Sequence, residues 1–382
     1  MKLDLLFEIQ PIPALWAQPY PDGPRAAEHE AYERTFEQVL AADQLGFQTA
    51  WFVEHHLREH MSACPCPEAV LGGLARSTHN LRLGFGVVQM PHGFQHPTRV
   101  AEKVSTVDIM SHGRVEWGTG RSTTTEQTWF GVPTDERSTQ HWREAVEFVV
   151  HAWDQQRMSL DGGAVMTPGR ALGPKPYQRP HPPPWLGCGS ASSAQLAGVS
   201  GMGMLLFPIS ESVEQTAETV GVFRQAHAEC ETPLTQVRND RSGAFTLVHC
   251  AEDMDEAARY GVWDSASWWF KTLANWVLDG VQYMPPQRQE TMRSTLEALR
   301  DGVDVERAAA EGRIVIGTPD ECLDKMMALS EAGIDQLLCY TEFGSMPQKK
   351  VLRSLELLGT EVIPKLEKAG HRFDFDSLSP AL

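Results

Sequence analysis

Residues 46–56 read GFQTAWFVEHH, and the fold prediction starts from this stretch. A helical pattern over 29–45 ends at the glycine, and FQTAWFV at 47–53 has the composition of a buried strand. The polar triplet EHH at 54–56 follows without a break. A helix, a short apolar strand and a polar strand end form the unit that α/β proteins repeat around a parallel sheet.

The same unit recurs along the rest of the chain. Strands are predicted at 2–9, 47–53, 81–90, 114–120, 184–188, 203–207, 242–250 and 334–343. Helices are predicted at 29–45, 66–76, 97–112, 138–154 and 347–368. This alternation predicts an α/β fold, namely a single-domain (β/α)8 TIM barrel over residues 1–382. A doubly wound open sheet is the rival, but no GxGxxG follows the first strand.

A tryptophan-rich stretch interrupts the alternation after the seventh strand. Residues 255–310 have a helical pattern and include Trp263, Trp268, Trp269 and Trp276. We therefore predict a helical insertion at this point of the barrel.

Composition narrows the class of protein. The 382 residues include 33 basic and 50 acidic side chains, which give a formal net charge of −17. This excess of negative charge argues against nucleic acid and anionic membranes as partners. The chain has no run of 18 apolar residues that would predict a membrane span, and Asp4 and Glu8 interrupt the N-terminal apolar run, which argues against a signal peptide. Seven scattered cysteines favour reduced thiols and a cytoplasmic location.

Polar residues follow the predicted ends of several strands, where barrel enzymes carry their active sites. After the second strand, His55 and His56 can transfer protons near neutral pH. The third strand includes GFGVVQMP at 84–91, whose glycines permit close approach of a ligand, and His92 lies beyond it. The fourth strand ends at Arg121, which can bind an anion. Polar loops, packing glycines and surface ion pairs are the ordinary structural explanations for these residues.

The fifth strand continues through GCGSASS at 187–193 into a helical pattern. Free N–H groups at the start of a helix, together with serine hydroxyls, are suited to bind phosphate. An ordinary helix cap needs only one serine, so three serines favour an anion site. Phosphate sites of barrels more often follow strands seven and eight, and this position therefore points to a particular family.

Residues 56–60 read HLREH and match the H-x-x-E-H pattern of inverted zinc peptidases. That pattern needs a helix, which turns both histidines towards one metal ion. Here the motif follows a strand directly, and Pro65 and Pro67 come soon after it. A zinc peptidase is therefore the remote alternative, and we assign no metal ligand.

The order of these motifs resembles that of the bacterial luciferase-like flavin monooxygenase family. The matching segments are EHH at 54–56, GFGVVQMP at 84–91, HP at 96–97, GRVEWGTGRS at 113–122, GCGSASS at 187–193 and the closing segment at 314–340. The resemblance covers nearly the whole chain. It is weakest at 255–310, which implies a variable substrate lid.

The resemblance implies FMN as the cofactor. The phosphate of FMN would be held by Arg121, Ser190 and Ser193. Further flavin contacts are expected from Glu54, Gly86, Val87 and Gly189. His55 matches the catalytic histidine of the family, and Gly86–Val87 matches a position at which the family often has a non-proline cis peptide.

Substrate contacts are expected from the loops and from the predicted lid. We predict that the substrate pocket includes His56, His92, Trp268 and Trp269, with Trp276 as a further lid residue. Luciferase itself has a glutamate where this chain has Gly189. That difference argues against light emission and against long-chain aldehydes as substrates.

The implied activity is that of a two-component monooxygenase. A separate flavin reductase would supply reduced FMN, and dioxygen would supply one oxygen atom to a small organic substrate. The family also implies a homodimer. Two alternatives share the fold, namely a deazaflavin-dependent oxidoreductase that transfers hydride and a flavin-binding protein that has lost its chemistry.

Overall fold

Eight parallel strands close into a barrel in the computed structural model, which describes residues 1–160, 167–208, 211–370 and 372–375. The strands are β1 (Lys2–Phe7), β2 (Thr49–Phe52), β3 (Arg82–Gln89), β4 (Val115–Gly120), β5 (Met158–Leu160), β6 (Thr167–Arg170), β7 (Pro184–Cys188), β8 (Gly203–Leu206), β9 (Ser242–Cys250), β10 (Val315–Gly317) and β11 (Gln336–Tyr340). The barrel order is β1–β2–β3–β4–β7–β8–β9–β11, and pairing of β11 with β1 closes it. The predicted (β/α)8 barrel is confirmed.

Helices connect the strands. They are α1 (Pro13–Trp16), α2 (Asp22–Ala42), α3 (Pro67–Ser77), α4 (Pro97–Met110), α5 (Thr124–Trp129), α6 (Glu136–Asp154), α7 (Ala191–Val199), α8 (Val213–Ala228), α9 (Met254–Arg259), α10 (Val262–Val281), α11 (Pro286–Gly302), α12 (Val305–Ala310), α13 (Pro319–Glu331), α14 (Gln348–Leu357) and α15 (Ile363–Ala369), with a π-helical turn at Leu358–Val362. Within the described ranges, none of these helices combines the length and the apolar character that crossing a membrane requires.

The barrel strands are buried along their length. Every residue of β2 and of β9 is buried. Parallel strands that have side chains or helices on both faces are expected to be apolar throughout. This burial explains why the strands are recognisable in the sequence as continuous apolar runs rather than as alternating patterns.

The lower end of the barrel, at which the strands begin, contains a buried ion-pair network. Glu116 of β4 accepts hydrogen bonds from Arg82 Nε and from Arg241 Nη2, the latter at 2.9 Å, and Trp185 Nε1 donates to it at 2.6 Å. Burial would raise the pKa of Glu116, but the two guanidinium groups outweigh burial and hold that pKa below its ordinary value. Each buried arginine of this network is therefore neutralised within the protein.

Asp4 of β1 lies in the same lower region and is fully buried. Its Oδ2 accepts hydrogen bonds of 2.7 Å from Trp51 Nε1 and from Gln336 Nε2. Burial raises the pKa of Asp4 to about 8, although the two hydrogen bonds oppose that rise. Asp4 therefore keeps its proton at neutral pH.

Strand β9 extends beyond the barrel. Gly243 to Leu247 pair with β11, whereas Val248 to Cys250 pair with β10. Helices α9, α10, α11 and α12 lie between β9 and β10, so residues 251–314 leave and rejoin the fold at one strand pair. The helical insertion predicted after the seventh strand is confirmed, and its action as a lid stays a prediction.

Several element boundaries differ from the sequence prediction. Helix α2 begins at Asp22 rather than at 29, because Pro24 occupies its first turn, where no intrahelical N–H is required. Strand β1 ends at Phe7, and Ile9 adopts a φ of 52°, outside the extended region. The closing helix predicted at 347–368 is divided by the π-helical turn.

Candidate active site

A cavity of about 390 Å³ lies at the upper end of the barrel, at which the strands stop. Its walls come from residues at the ends of β1, β2, β3, β4 and β7 and from helices α10 and α11 of the insertion. A larger groove of about 600 Å³ lies at the lower end beside Arg76 and Arg114. We assign the active site to the upper cavity, because it contains the strand-end residues that barrel enzymes use.

His55 lines this cavity directly after β2, and Glu126 of α5 fixes its ring. His55 Nδ1 lies 3.1 and 3.2 Å from the two carboxylate oxygens of Glu126. An ionised carboxylate only accepts hydrogen bonds, so Nδ1 carries the proton in this pair and Nε2 stays available. The edge of the Trp276 ring faces His55, with 6.2 Å between ring centroids.

Glu126 is itself held by a dense set of donors. Its carboxylate accepts hydrogen bonds from Ser122 Oγ at 2.6 Å, from Thr123 Oγ1 at 3.1 Å and from the backbone N–H of His56 at 2.7 Å. Burial would raise the pKa of Glu126, but His55, the Arg58 guanidinium and the backbone N–H of His56 outweigh burial and hold that pKa well below its ordinary value. Glu126 is thus a permanent carboxylate behind His55.

Glu54 connects the ends of two strands. Its carboxylate accepts from the backbone N–H of Gln89 at 3.0 Å and from Gln95 Nε2 at 3.1 Å, and Lys103 Nζ lies 3.5 Å away. Glu54 lines the cavity, but protein donors already surround its oxygen atoms. It therefore fixes the position of the β3 end relative to His55.

The Gly86–Val87 peptide forms part of the cavity wall and is cis, as the resemblance implied. The Val87 side chain lies against glycines of the neighbouring strands. A Cβ on Gly120 would lie 2.5 Å from Val87 Cγ2, and a Cβ on Gly187 would lie 3.2 Å from Val87 Cγ1. Glycine at these positions makes room for Val87, which presents an apolar surface to the cavity.

The serine turn after β7 begins helix α7. Ser193 Oγ accepts hydrogen bonds from the backbone N–H groups of Gly189 and Ser190 at 3.1 Å and donates to the Ser190 carbonyl at 2.8 Å. Ser193 is therefore largely committed to capping its own helix. The hydroxyls of Ser190 and of the exposed Ser192 lie 3.0 Å apart on the cavity wall, where they can bind an anion.

Arg121 lines the same cavity, and so does Arg288 of the insertion. The Arg121 side chain donates to Thr139 Oγ1 at 2.7 Å, and neither arginine forms an ion pair with a carboxylate in the described part of the chain. Burial lowers the pKa of Arg121, and the nearby Arg288 lowers it further, opposed only by the Cys188 thiol. This part of the cavity lining is cationic and hydroxyl-rich.

Helix α10 covers the cavity with one apolar face. Trp269, Leu273, Trp276 and Val277 line it at helical spacing. Trp276 also stacks on the buried Arg58 guanidinium, 3.9 Å from the ring centroid. Near its end α10 approaches α5 so closely that a Cβ on Gly280 would lie 2.0 Å from Thr125 Oγ1. The insertion is thus packed onto the helix that carries Glu126.

Most of the predicted site residues meet at this cavity. Those that line it are Glu54, His55, Gly86, Val87, Arg121, Gly189, Ser190, Ser193, Trp269 and Trp276. The fit to a flavin phosphate rests on the donor set, because guanidinium groups, hydroxyls and a helix start recognise phosphate. The presence of both a cationic, hydroxyl-rich lining and an apolar α10 face also suits a cofactor that has one charged end and one flat ring system.

Three predicted substrate residues lie outside the cavity lining that the structure describes. The His56 ring packs on Phe130, with centroids 4.9 Å apart. His92 Nε2 contacts Glu144 at 3.4 Å. Trp268 precedes Trp269 on α10 and therefore points about 100° away from it. It packs against the core instead of lining the cavity. The roles predicted for these three residues have no support from their positions.

Four functional candidates were not predicted. Glu126 lies on a six-residue helix that has no apolar pattern, and Arg288 is more than 160 residues from Arg121 in the sequence. Ser192 was available as the third serine of the turn. Arg58 follows the EHH triplet closely, but only the structure shows that it is buried and lines the cavity.

The HLREH segment does not form the helix that a zinc peptidase needs. Residues 54–66 follow β2 without helical structure, and Leu57 adopts a φ of 56°. The His60 ring packs on Trp16, with centroids 5.1 Å apart. His56 and His60 are therefore held by different neighbours.

The protein is therefore a (β/α)8 barrel whose candidate active site lies at the ends of the strands. The chain belongs to the luciferase-like monooxygenase family, whose model matches residues 14–336. It is 25% identical to the oxygenase component of flavin-dependent trigonelline monooxygenase from Acinetobacter baylyi, over 89% of this chain and 91% of that protein. It is also 25% identical to 5,10-methylenetetrahydromethanopterin reductase from Archaeoglobus fulgidus, over 88% and 96% of the respective chains.

The solved structures include the monooxygenase RslO1 from Streptomyces bottropensis. The match has a TM-score of 0.73 and 25% sequence identity, and covers 96% of this chain and all of the other. Members of the family are oxidoreductases that use either a flavin or the deazaflavin F420. Family membership therefore establishes the reaction class but leaves the cofactor and the substrate to be inferred from the cavity.

Proposed function

We propose that this protein is the oxygenase of a two-component monooxygenase that uses reduced FMN and dioxygen. The observation that carries the proposal is that Glu126 holds His55 in the wall of a cavity that also contains cationic and serine side chains and an apolar helix face. When bound, reduced FMN would supply the electrons that activate dioxygen. The chain itself supplies orientation, proton handling and exclusion of water.

The cationic and hydroxyl-bearing residues of the cavity would bind the phosphate. Arg121 and the Ser190 and Ser192 hydroxyls are the candidate donors, and Val87 would support the flat ring system. His55 would act through Nε2, because Glu126 occupies Nδ1. A protonated or hydrogen-bonding imidazole at this position can stabilise negative charge that develops on oxygen, and can transfer a proton.

Exclusion of water favours oxygenation over simple hydride transfer. Trp269, Leu273, Trp276 and Val277 place an apolar helix face over the site. Reactive oxygenated species survive only where water is kept away, which is the function that lids commonly serve. We therefore propose helices α10 and α11 as the lid over substrate and cofactor.

A deazaflavin-dependent oxidoreductase is the second candidate. The reductase from Archaeoglobus fulgidus is as similar to this chain as the trigonelline enzyme is. The His55–Glu126 pair could also serve a hydride transfer that is coupled to a proton. The two proposals differ in cofactor affinity and in reactivity with dioxygen.

The test compares the two cofactors directly. The purified protein is titrated anaerobically with reduced FMN and, separately, with reduced F420. We expect tighter binding of FMN, followed by a transient absorbing species, distinct from reduced and oxidised FMN, after rapid mixing with dioxygen. Tight binding of F420 alone, with no such species from FMN, would replace this proposal with the second candidate.

The partners follow from the same proposal. A separate reductase would deliver reduced FMN, and a small organic molecule would be oxygenated beneath α10. The homodimer and the cytoplasmic location stay predictions. Co-purification with a flavin reductase and measurement of the molecular mass in solution would test them.

A further inference from the structure

We propose that Arg288, which the insertion carries, is the second guanidinium ligand of the cofactor's anionic group, so that a bound anion holds the insertion against the barrel. This inference rests on the proposed function for the identity of the anion as a flavin phosphate. It adds a ligand from outside the barrel to those that the strand ends provide. Arg288 is the third residue of α11 and lines the cavity that also contains the serine turn.

The first argument is the missing counter-charge. The chain has 50 acidic and only 33 basic residues, yet Arg121 and Arg288 both line one cavity without a carboxylate partner among the described residues. Other arginines near the end of the insertion are paired, such as Arg300 with Asp301 at 2.7 Å and Arg307 with Glu311 at 2.6 Å. Two neighbouring guanidinium groups that have no acid partner are stabilised when one anion binds both of them.

The second argument is the set of hydrogen-bond donors that line the same cavity as the two arginines. The Ser190 and Ser192 hydroxyls lie at the start of α7, where the helix dipole favours negative charge. Arg121 uses one nitrogen for Thr139 and keeps its other donors. A phosphate monoester has enough acceptor oxygens to satisfy Arg121, the serines and Arg288 at once.

The consequence is a coupling between cofactor and lid. Without an anion, the two positive charges repel each other and favour movement of α11 away from the barrel. With an anion, α11 is attracted to the cavity, and α10 follows because the two helices pack against each other. Binding of the phosphate therefore stabilises the same helix face that keeps water from the site.

The first measurement compares reduced FMN with reduced riboflavin, which lacks the phosphate. Arg288→Ala should weaken FMN binding by about 10- to 100-fold, the range expected for a lost charge-assisted hydrogen bond, and should leave riboflavin binding unchanged. Arg293→Ala is the matched control, because Arg293 is an exposed arginine of the same helix outside the cavity lining. Arg288→Lys should fall between wild type and Arg288→Ala, because it keeps the charge but loses the forked geometry.

The second measurement follows the insertion itself. FMN should slow trypsin cleavage after Arg293 in the wild type and should fail to do so in Arg288→Ala. Equal FMN affinity of Arg288→Ala and wild type, or an equal loss for FMN and riboflavin, would overturn the inference and leave the FMN proposal standing.

Measurements with inorganic phosphate distinguish a failure of the proposed function from a failure of this inference. If the wild type binds no reduced FMN, the proposed function fails, and the inference is judged by thermal unfolding in phosphate at constant ionic strength. An increase in melting temperature that depends on Arg288 but not on Arg293 would support the anion site. The same increase in all three proteins, or none, would reject it.

Discussion

Two pairs of arginines, one at each end of the barrel, differ in whether the protein supplies a carboxylate partner. At the lower end, Arg82 and Arg241 are buried against Glu116, and the protein neutralises its own charges. At the upper end, Arg121 and Arg288 share a cavity in which no described carboxylate pairs with them. Guanidinium groups that are paired with a carboxylate are satisfied within the protein, whereas unpaired guanidinium groups in a cavity can bind an anion. The difference separates the part of the barrel that maintains the fold from the part that we propose to bind the cofactor.

The largest effect should come from the upper end. His55→Ala should lower turnover by about 10²- to 10⁴-fold, the usual contribution of one acid–base or hydrogen-bonding group. The melting temperature should fall only modestly, because Ser122, Thr123 and the backbone N–H of His56 still donate to the buried Glu126 carboxylate. Steady-state kinetics beside thermal unfolding measures both. Turnover equal to wild type would remove His55 from the mechanism.

Disrupting the ion-pair network at the lower end of the barrel should instead have its main effect on stability. Glu116→Ala leaves two buried guanidinium groups without their carboxylate, which should cost about 3–5 kcal/mol of unfolding free energy. Urea denaturation measures this loss, and Glu116→Gln is the milder variant if the alanine protein does not fold. Arg121→Ala is the comparison from the upper end. It should change stability by less than about 1 kcal/mol while weakening FMN binding.

A smaller effect is expected behind the histidine. Glu126→Gln keeps the shape of the side chain but removes the charge that orients His55. We expect kcat to fall by about 10- to 100-fold with little change in FMN affinity, because Glu126 acts through His55 and lies outside the cavity lining. Glu126→Asp should recover part of kcat. A change in FMN affinity without a change in kcat would contradict this positioning role.

The smallest effect is a pH dependence at the lower end. The folded pKa of Asp4 is about 8, above its ordinary value of 3.8, so the folded protein keeps a proton that the unfolded chain has lost between these values. Stability therefore falls as pH rises through this window, by up to about 1.4 kcal/mol per pH unit. Asp4→Asn should remove this contribution. Between pH 6 and pH 8 the variant should therefore lose about 2 kcal/mol less unfolding free energy than the wild type. Equal slopes in urea denaturation would show that Asp4 is not the source.

The sequence predicts the barrel well because burial leaves a local trace. Each barrel strand is an apolar run, and its buried end is followed by the polar residues of a loop. Strand β10 and helix α5 were missed because they are three and six residues long, too short for a periodic pattern. The predicted end of the first strand was wrong because Ile9 has a backbone conformation outside the extended region, which sequence composition does not reveal.

The site was predictable only where its residues lie at strand ends. His55, Arg121 and the serine turn follow barrel strands directly, and the barrel brings such positions together. Glu126 and Arg288 reach the cavity from helices, and their contacts depend on tertiary packing that no sequence spacing encodes. Trp268 shows the converse. It and Trp269 are neighbours on one helix and point in different directions, and of these two it is Trp269 that lines the cavity.

The pairing of β9 with β10 has a consequence for how this protein can diversify. Because Val248 to Cys250 pair with Val315 to Gly317, the excursion between them starts and finishes at adjacent points of a rigid frame. Its length and sequence can change without altering the register of any barrel strand. If the insertion is the lid that we propose, a graft of residues 251–314 from another family member would replace the whole cover of the cavity and leave the barrel strands unaltered.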